Sequence, residues 1–257
     1  MKQEILARLS HLEQEEGVRI LYACESGSRA WGFPSTDSDY DVRFIYLQPQ
    51  DWYLSIDLEK KRAVIERPIN DQIDLNGWDL RKALWLYRKS NPPLLEWLGS
   101  PIIYLEKYST ASQLRTLAPE YYSPKACMYH YLHMARGNYR EYLKGERVWI
   151  KKYFYILRPL LAINWLEKEM GIVPTEFRKL VNQVVGDRDL KQEIETLIKA
   201  KEQGAELDYG PRIPAIGDFI DREIARLENQ QFTDGTQNGS AEELNRLFRS
   251  ALDEVWS

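Results

Sequence analysis

The chain has 257 residues, of which 44% are hydrophobic and 29% charged, so it can bury a substantial core without disulfide or metal cross-links. The formal net charge of -4 excludes a global positive field for binding nucleic acid, and any polyanion would need a local basic patch. The most apolar run, residues 153–166, is interrupted by Arg158, Pro159 and Asn164, which argues against a membrane span. Because the N-terminus also lacks the pattern of a secretory signal, we expect a cytoplasmic protein that does not enter a membrane.

The first hundred residues mix helix and strand patterns. Apolar residues at helical spacing predict an amphipathic helix over residues 2–16, ended by Gly17. A strand is predicted over 18–24, a turn rich in small residues over 25–32, and further strands over 40–47, 62–66 and 72–76. Gly77 is then predicted to break the last strand, and Asp79 to cap a helix that runs to about Lys89.

From Pro92 onward the pattern is almost continuously helical, with breaks predicted near Pro101, Pro119, Pro124, Pro159, Gly171 and Pro174. The sequence therefore predicts an α+β protein: a small mixed β-sheet core with flanking helices, followed by a C-terminal helical bundle. We expect a first domain over 1–110, a helical domain over 111–229, and a linker with a terminal helix over 230–257. The linker is predicted over 230–239, and Ser240 with Glu243 has the spacing of a capping box.

Two aspartates at the start of the second strand carry the main functional signal. Side chains alternate across a strand, so Asp39, Asp41 and Arg43 share one face. The opposite face is apolar and is expected to pack: Tyr40, Val42, Phe44 and Tyr46. Neighbouring carboxylates repel each other unless a cation lies between them, and a hard divalent metal such as Mg²⁺ or Mn²⁺ suits such oxygen ligands.

A third carboxylate and a glycine-containing turn complete this pattern. Asp74 lies between Ile73 and Leu75, so the alternation places it opposite two core-facing side chains. Three carboxylates suit the two-metal arrangement of nucleotidyl transfer. In the turn before them, Gly27 lets the backbone come close to a phosphate, and Ser28 adds a hydroxyl.

Taken together, these residues resemble the DNA polymerase beta-type nucleotidyltransferase superfamily. More narrowly, they resemble its RNA-repair-associated family, and the resemblance is strong over residues 18–100. The matching segments are Glu25-Ser26-Gly27-Ser28-Arg29-Ala30-Trp31-Gly32, Asp37-Ser38-Asp39-Tyr40-Asp41-Val42-Arg43 and Ile73-Asp74-Leu75. The resemblance implies that Gly27 and Ser28 hold the triphosphate of a nucleotide and that Asp39, Asp41 and Asp74 act as the catalytic metal ligands.

A cationic stripe on a later helix is a second candidate for nucleotide binding. Lys151, Tyr155 and Arg158 fall on one helical face, and Pro159 is expected to kink the helix there. Facing the carboxylates across a cleft, this stripe could hold phosphates or stack on a base. Lys152 is an equal alternative to Lys151.

Two arginines near the carboxylates have two open interpretations. Arg29 and Arg43 could each bind phosphate or only neutralise the carboxylate cluster. A zinc site at His130 and His133 is disfavoured, because no third ligand lies nearby in sequence.

The hypothesis favoured by the sequence is a metal-dependent nucleotidyltransferase. It would move a nucleoside monophosphate from an NTP to a hydroxyl, with an RNA end as one candidate acceptor, and would release pyrophosphate. Two alternatives remain open: transfer to a small molecule or a protein hydroxyl, and a nucleotide-binding regulator or antitoxin-like protein without turnover. Pyrophosphate release separates the transferases from the regulator.

Overall fold

The computed structural model describes residues 1–204, 207–233 and 239–257, which fall into two compact units. The sheet unit comprises Met1–Ala30, Asp39–Tyr122 and Gln237–Ser257, and the helical unit comprises Trp31–Ser38 and Ser123–Thr236. The first boundary expected from the sequence, at residue 110, lies at the start of a helix that stays with the sheet unit. Within the described residues, no helix has the length and apolar character needed to cross a bilayer.

A five-stranded mixed sheet forms the centre of the sheet unit. Its strands are β1 (Arg19–Glu25), β2 (Tyr40–Leu47), β3 (Val64–Asn70), β4 (Ile73–Asp79) and β5 (Ile103–Glu106). Their order across the sheet is β3-β4-β2-β1-β5. Strands β2 and β4 run parallel, whereas the other neighbouring strands are antiparallel. The expected α+β class, with a small mixed sheet, is confirmed.

Helices make up most of the remainder. They are α1 (Lys2–Glu16), α2 (Gly27–Trp31), α3 (Gln50–Tyr53), α4 (Leu80–Arg88), α5 (Pro92–Leu98), α6 (Thr110–Tyr121), α7 (Pro124–Tyr142), α8 (Lys152–Glu167), α9 (Phe177–Val184), α10 (Arg188–Glu202), α11 (Pro214–Arg226) and α12 (Ala241–Trp256). A short 3₁₀ helix covers Leu58–Lys60, and β6 (Arg147–Trp149) pairs with β7 (Tyr209–Pro211) in the helical unit.

The apolar face of β2 packs as its alternation predicts. Val42, Phe44 and Tyr46 are fully buried in one cluster with Ile5, Leu9 and Leu12 of α1. The opposite face of β2 is polar only where the strand begins, because Ile45 is also buried. This arrangement confines the polar side chains to one end of the strand.

The prediction that Gly77 breaks its strand was wrong, because Gly77 lies inside β4. A Cβ atom at this position would lie 2.0 Å from Cε2 of Phe44, so glycine makes room for the ring on the neighbouring strand. The break predicted near Pro159 was also wrong, since α8 continues through it. Pro119 lies inside α6, two residues before that helix ends at Tyr121.

Two predicted helix caps are confirmed. The Asp79 carboxylate accepts a hydrogen bond from the backbone N of Arg81 at 2.9 Å, and Ser240 Oγ accepts one from the backbone N of Glu243 at 3.1 Å. Both satisfy amide groups that the first helical turn leaves without partners. The linker predicted over 230–239 lies partly outside the described residues, which omit 234–238.

Candidate active site

The two strongest candidate ligands face each other on parallel strands. Asp41 of β2 is in register with Asp74 of β4. Their side chains are 31% and 27% exposed, so both carboxylates are accessible without being fully solvated. The alternation around Asp74 is as predicted, because Ile73 and Leu75 are buried in the core.

Arg43 bridges this carboxylate pair. Its Nη2 lies 3.1 Å from Oδ1 of Asp41 and 2.8 Å from Oδ2 of Asp74. Its Nη1 also donates to the backbone carbonyl of Asp74 at 3.3 Å. In this structure Arg43 offsets part of the negative charge of the pair, which corresponds to one of the two roles that the sequence left open.

The charged form of Asp41 remains disfavoured despite the contact with Arg43. Burial raises the pKa of the Asp41 carboxyl, and repulsion from Asp74 and Asp39 raises it further, while Arg43 acts in the opposite direction. A raised pKa means that the surroundings disfavour the charged form. Additional positive charge would therefore be stabilising beside Asp41.

Gly27 lies directly against this aspartate. Its backbone φ is +56°, and a Cβ atom would lie 2.0 Å from Oδ2 of Asp41. The neighbouring Ser26 donates its backbone N–H to the carbonyl of Asp41 at 2.8 Å. Both the backbone conformation and the close approach require glycine at the start of α2, where Ser28 follows.

Glu25 is a supporting residue that the sequence analysis missed. It is fully buried at the end of β1, and its Oε1 accepts the backbone N–H of Asp41 at 2.7 Å. The hydroxyl of Tyr104 donates to its other oxygen. Burial raises the pKa of Glu25 to about 7. The available signal was an acidic residue ending an otherwise apolar strand, which is uncommon unless the carboxylate has partners.

Asp39 and Arg29 lie at the entrance to β2. Asp39 is exposed and precedes the first residue of the strand. Arg29 donates from Nε to the Asp39 carbonyl at 3.1 Å, and its guanidinium lies 3.7 Å from the ring centre of Tyr40. These contacts anchor the chain that carries both predicted aspartates.

The donor chemistry of this cluster fits a hard divalent cation. Carboxylate oxygens are preferred ligands of Mg²⁺ and Mn²⁺, and Asp41 is in surroundings that favour added positive charge. Over the described residues, however, no three acidic, histidine or cysteine side chains are grouped closely enough to hold a metal. Arg43 reaches both paired carboxylates, so metal binding there would require its guanidinium to move.

The cationic stripe belongs to the helical unit. Lys151 is exposed at the residue before α8. The Lys152 amino group lies 4.3 Å, 5.0 Å and 4.9 Å from the ring centres of Tyr142, Trp149 and Tyr155. The two lysines thus have different surroundings: Lys151 is exposed, and Lys152 is enclosed by aromatic rings.

Arg158 differs from the other members of the stripe because it is only 3% exposed. Its Nη2 donates to the carbonyls of Pro174 and Thr175 at 3.2 Å and 3.4 Å. Its guanidinium lies 5.2 Å from the ring centre of Trp31, and the Tyr155 ring packs against that same indole at 5.6 Å. In the helical unit, Arg158 therefore ties α8 to the segments that contain Trp31 and Pro174.

Two known proteins align with almost the whole chain. The chain is 52% identical over 257 residues to the "Uncharacterized protein YcgL" of Bacillus subtilis (strain 168), covering 100% of this chain and 98% of that protein. A solved nucleotidyltransferase-like protein from Exiguobacterium sibiricum aligns over 98% of this chain and 89% of its own, at 15% identity. Its TM-score is 0.31, which is too low to support an argument about fold.

The family comparison covers nearly the whole chain. Residues 1–250 match the family described as "RNA repair pathway DNA polymerase beta family" (RlaP). This span includes the glycine-serine turn, the three candidate aspartates and the cationic stripe. The chain belongs to the RNA repair pathway DNA polymerase beta family.

Proposed function

We propose that the protein is a metal-dependent nucleotidyltransferase that transfers a nucleoside monophosphate from an NTP to a hydroxyl group and releases pyrophosphate. The observation that carries this proposal is the pairing of Asp41 with Asp74 across parallel strands, directly against Gly27. Family membership supports the same class of chemistry.

Three carboxylates and the adjoining turn have distinct roles in this proposal. Asp39, Asp41 and Asp74 would hold the metal once their carboxylates come closer together than they lie in this structure, and Gly27 with Ser28 would hold the triphosphate. Bound Mg²⁺ or Mn²⁺ would neutralise phosphate charge and lower the pKa of the attacking hydroxyl. Glu25 fixes the backbone of Asp41 through the 2.7 Å hydrogen bond to its amide, so the carboxylate keeps its position.

Arg43 has a different role in the absence and presence of substrate. In the structure, its guanidinium compensates the charge of Asp41 and Asp74. With its two carboxylate partners bound to a cation, Arg43 would be free to bind phosphate oxygens, which guanidinium groups bind well. Arg29 lies at the entrance of the same strand and is proposed as a second phosphate contact.

Residues of the helical unit are proposed to complete nucleotide binding. Lys151 and Lys152 supply positive charge, and Tyr155 supplies an aromatic face for a base. Arg158 is assigned here by its place in the stripe, although its guanidinium is engaged with two carbonyls. It would contribute chiefly by keeping α8 and Trp31 in place.

An RNA end is the proposed acceptor. The name of the matching family refers to an RNA repair pathway, which supports an RNA acceptor. A 2′- or 3′-hydroxyl is a nucleophile of the kind that nucleotidyl transfer uses. The net charge of -4 limits RNA contact to local basic patches. Transfer to a small molecule or a protein hydroxyl, and nucleotide binding without turnover, are distinguishable outcomes of the test.

The test is pyrophosphate release from each of the four NTPs with Mg²⁺ or Mn²⁺, with and without a pool of short RNAs. The wild type is compared with the Asp41→Asn/Asp74→Asn double variant. Asp71→Asn is the matched control, because Asp71 is an exposed aspartate at the turn between β3 and β4. RNA-stimulated release in the wild type and control, but not in the double variant, is the expected result.

Other outcomes of this experiment would redirect or reject the proposal. Release that requires another protein or a small molecule would change the acceptor. Nucleotide binding without pyrophosphate under any condition would favour the regulator. Undiminished release by the double variant would reject the assignment of the two aspartates.

A further inference from the structure

A cavity of about 410 Å³ lies in the sheet unit between α4, α12 and the segment that contains α3 and the short 3₁₀ helix. Phe248 of α12 lines it and packs edge-on against Tyr53 of α3, with ring centres 4.9 Å apart. This volume falls within the range of sites for small molecules and cofactors. The proposed function does not use this cavity.

The charges around the cavity are opposite in sign to the net charge of the chain. Its lining contains four basic side chains: Lys61, Arg81, Lys82 and Arg88. Among the described residues that line it, Asp79 is the one acidic side chain. Its carboxylate is buried, and it accepts hydrogen bonds from the Tyr53 hydroxyl at 2.5 Å and from the backbone of Arg81 at 2.9 Å. Arg81 also lies 3.6 Å from the Glu59 carboxylate. Lys61, Lys82 and Arg88 therefore give the lining its net positive charge, which favours an anion.

Aromatic surfaces accompany these cations. Trp52 and Trp85 line the cavity. Trp85 is 56% exposed, and the Lys89 amino group lies 3.7 Å from its ring centre. The Lys61 amino group lies 4.9 Å from the Trp52 ring centre and donates to the Trp52 carbonyl at 3.0 Å. Exposed indole surface beside flexible basic side chains is the combination that binds a base and its phosphate.

This cavity is separate from the paired carboxylates. Asp79 ends β4, five residues beyond Asp74, which corresponds to about 16 Å along the strand. Asp74 faces Asp41 near the start of β4, whereas Asp79 faces Tyr46 in the same register. A nucleotide in the cavity is thus not the one whose phosphate lies at the carboxylates.

We propose that this cavity is a second nucleotide site, in which Trp52 or Trp85 stacks on a base while Arg81, Lys82 and Arg88 bind its phosphate. The occupant is one nucleotide unit, either free or within a single-stranded RNA. Since the lining offers cations and not a carboxylate pair, binding there needs no divalent metal. The site goes beyond the proposed transfer reaction and does not depend on turnover.

The test is equilibrium dialysis in EDTA with full-length protein. The probes are the four nucleoside 5′-monophosphates, a five-nucleotide oligoadenylate, adenosine and inorganic phosphate. We expect a metal-independent site that weakens as salt rises, because phosphate contacts are screened. Binding of a monophosphate identifies a free nucleotide as the occupant, whereas binding of the oligonucleotide alone identifies RNA.

Charge reversal in the cavity is the first variant test. Lys82→Glu/Arg88→Glu is expected to weaken metal-independent binding at least tenfold. Arg246→Glu is the matched control, because Arg246 is exposed on α12 and lies outside the lining. We expect it to bind as the wild type does.

Removal of the exposed indole is the second variant test. Trp85→Ala is expected to weaken binding about five- to a hundredfold, the range for loss of one stacked base. Trp85→Phe should restore most of the affinity, because it retains an aromatic face. Thermal unfolding of each variant identifies any that fails to fold.

Three results would overturn the proposal: no binding of any nucleotide probe in EDTA, wild-type affinity in both the charge-reversed and the Trp85→Ala variants, or an affinity for inorganic phosphate equal to that for the nucleotide probe that binds. Failure of the proposed transferase has a separate signature. In that case Asp41→Asn/Asp74→Asn would leave pyrophosphate release and metal-dependent nucleotide binding unaltered, whatever happens at the cavity.

Discussion

The two ends of the parallel β2–β4 pair hold carboxylates with opposite surroundings. At one end, Asp41 and Asp74 are about a quarter to a third exposed and share the guanidinium of Arg43. At the other end, Asp79 is 1% exposed, and its carboxylate accepts hydrogen bonds from the Tyr53 hydroxyl and from the first turn of α4. The carboxylates of Asp41 and Asp74 repel each other. The Asp79 carboxylate instead accepts hydrogen bonds from Tyr53 and from the backbone of Arg81.

This difference separates a candidate functional carboxylate from a structural one. Burial raises the pKa of both Asp41 and Asp79, so the direction of the shift does not distinguish them. Their partners do distinguish them. Asp79 caps a helix, while Asp41 adds to a cluster of like charge that only a cation relieves.

The largest effect is expected from Asp41→Asn or Asp74→Asn. Each change removes a proposed metal ligand and should lower nucleotidyl transfer about a thousandfold, or about 4 kcal/mol in the activation barrier. Unfolding free energy should change by no more than about 1 kcal/mol, because the substitution also removes repulsion. Steady-state pyrophosphate release and thermal unfolding, with Asp71→Asn as control, measure both quantities.

Asp79→Asn tests whether Asp79 has a structural role at its end of the strand pair. Burial raises the pKa of Asp79 from 3.8 to about 6. Its neutral form is therefore favoured in the fold, and the stability it contributes below about pH 4 is lost as pH rises through about 6. Asparagine mimics that neutral form and keeps an oxygen to cap α4.

The Asp79→Asn variant should match the wild type near pH 4 and exceed its unfolding free energy by up to about 3 kcal/mol at pH 8. Chemical denaturation across this pH range measures the difference. Glu25 titrates in both proteins, so subtracting the two profiles removes its contribution. Profiles that run parallel would contradict the account of Asp79.

Two glycine-to-alanine substitutions add the same methyl group beside a candidate functional carboxylate and inside the hydrophobic core. The added carbon would lie 2.0 Å from Oδ2 of Asp41 in Gly27→Ala, and 2.0 Å from the Phe44 ring in Gly77→Ala. Gly27→Ala should lower activity about a hundredfold by displacing a carboxylate. Gly77→Ala should instead lower unfolding free energy by about 1–3 kcal/mol through overpacking. Equal losses of stability with equal activities would contradict this distinction.

The smallest effect is expected from Arg43→Gln. Without the bridge, the metal-free protein should lose about 1–2 kcal/mol of unfolding free energy, since the pair is only partly buried. Mg²⁺ should restore that loss by replacing the missing charge. Denaturation with and without Mg²⁺ measures it, and Lys60→Gln is a control because its pair with Asp57 is well exposed. A loss that Mg²⁺ leaves unchanged would contradict the proposed exchange of Arg43 for metal.

Local patterns predicted the sheet unit better than the helical unit. The β2 bounds, its apolar face and the Asp79 cap depend on alternation and capping, which are properties of neighbouring residues. The prediction for Gly77 was wrong because glycine is needed there to make room for the Phe44 ring, which lies on another strand. The break at Pro159 was misjudged because α8 continues through it, with nearly every side chain around it buried.

In the candidate active site, too, the sequence predicted local patterns but not contacts between strands. Asp41 and Asp74 were recognisable from spacing, but the contact of Gly27 with Asp41 and the bridge through Arg43 depend on strand pairing. The stripe of Lys151, Tyr155 and Arg158 was drawn from helical spacing alone. That spacing could not show that Arg158 is buried against carbonyls while Lys151 is exposed.

The most direct measurement is Mn²⁺ binding in the presence of ATP, followed by electron paramagnetic resonance of free Mn²⁺. We expect the wild type and Asp79→Asn to remove the same amount of free Mn²⁺ beyond that bound by ATP. We expect Asp41→Asn/Asp74→Asn to remove none beyond the ATP-bound fraction. Equal Mn²⁺ uptake by this double variant would contradict the assignment of the paired aspartates as the metal site.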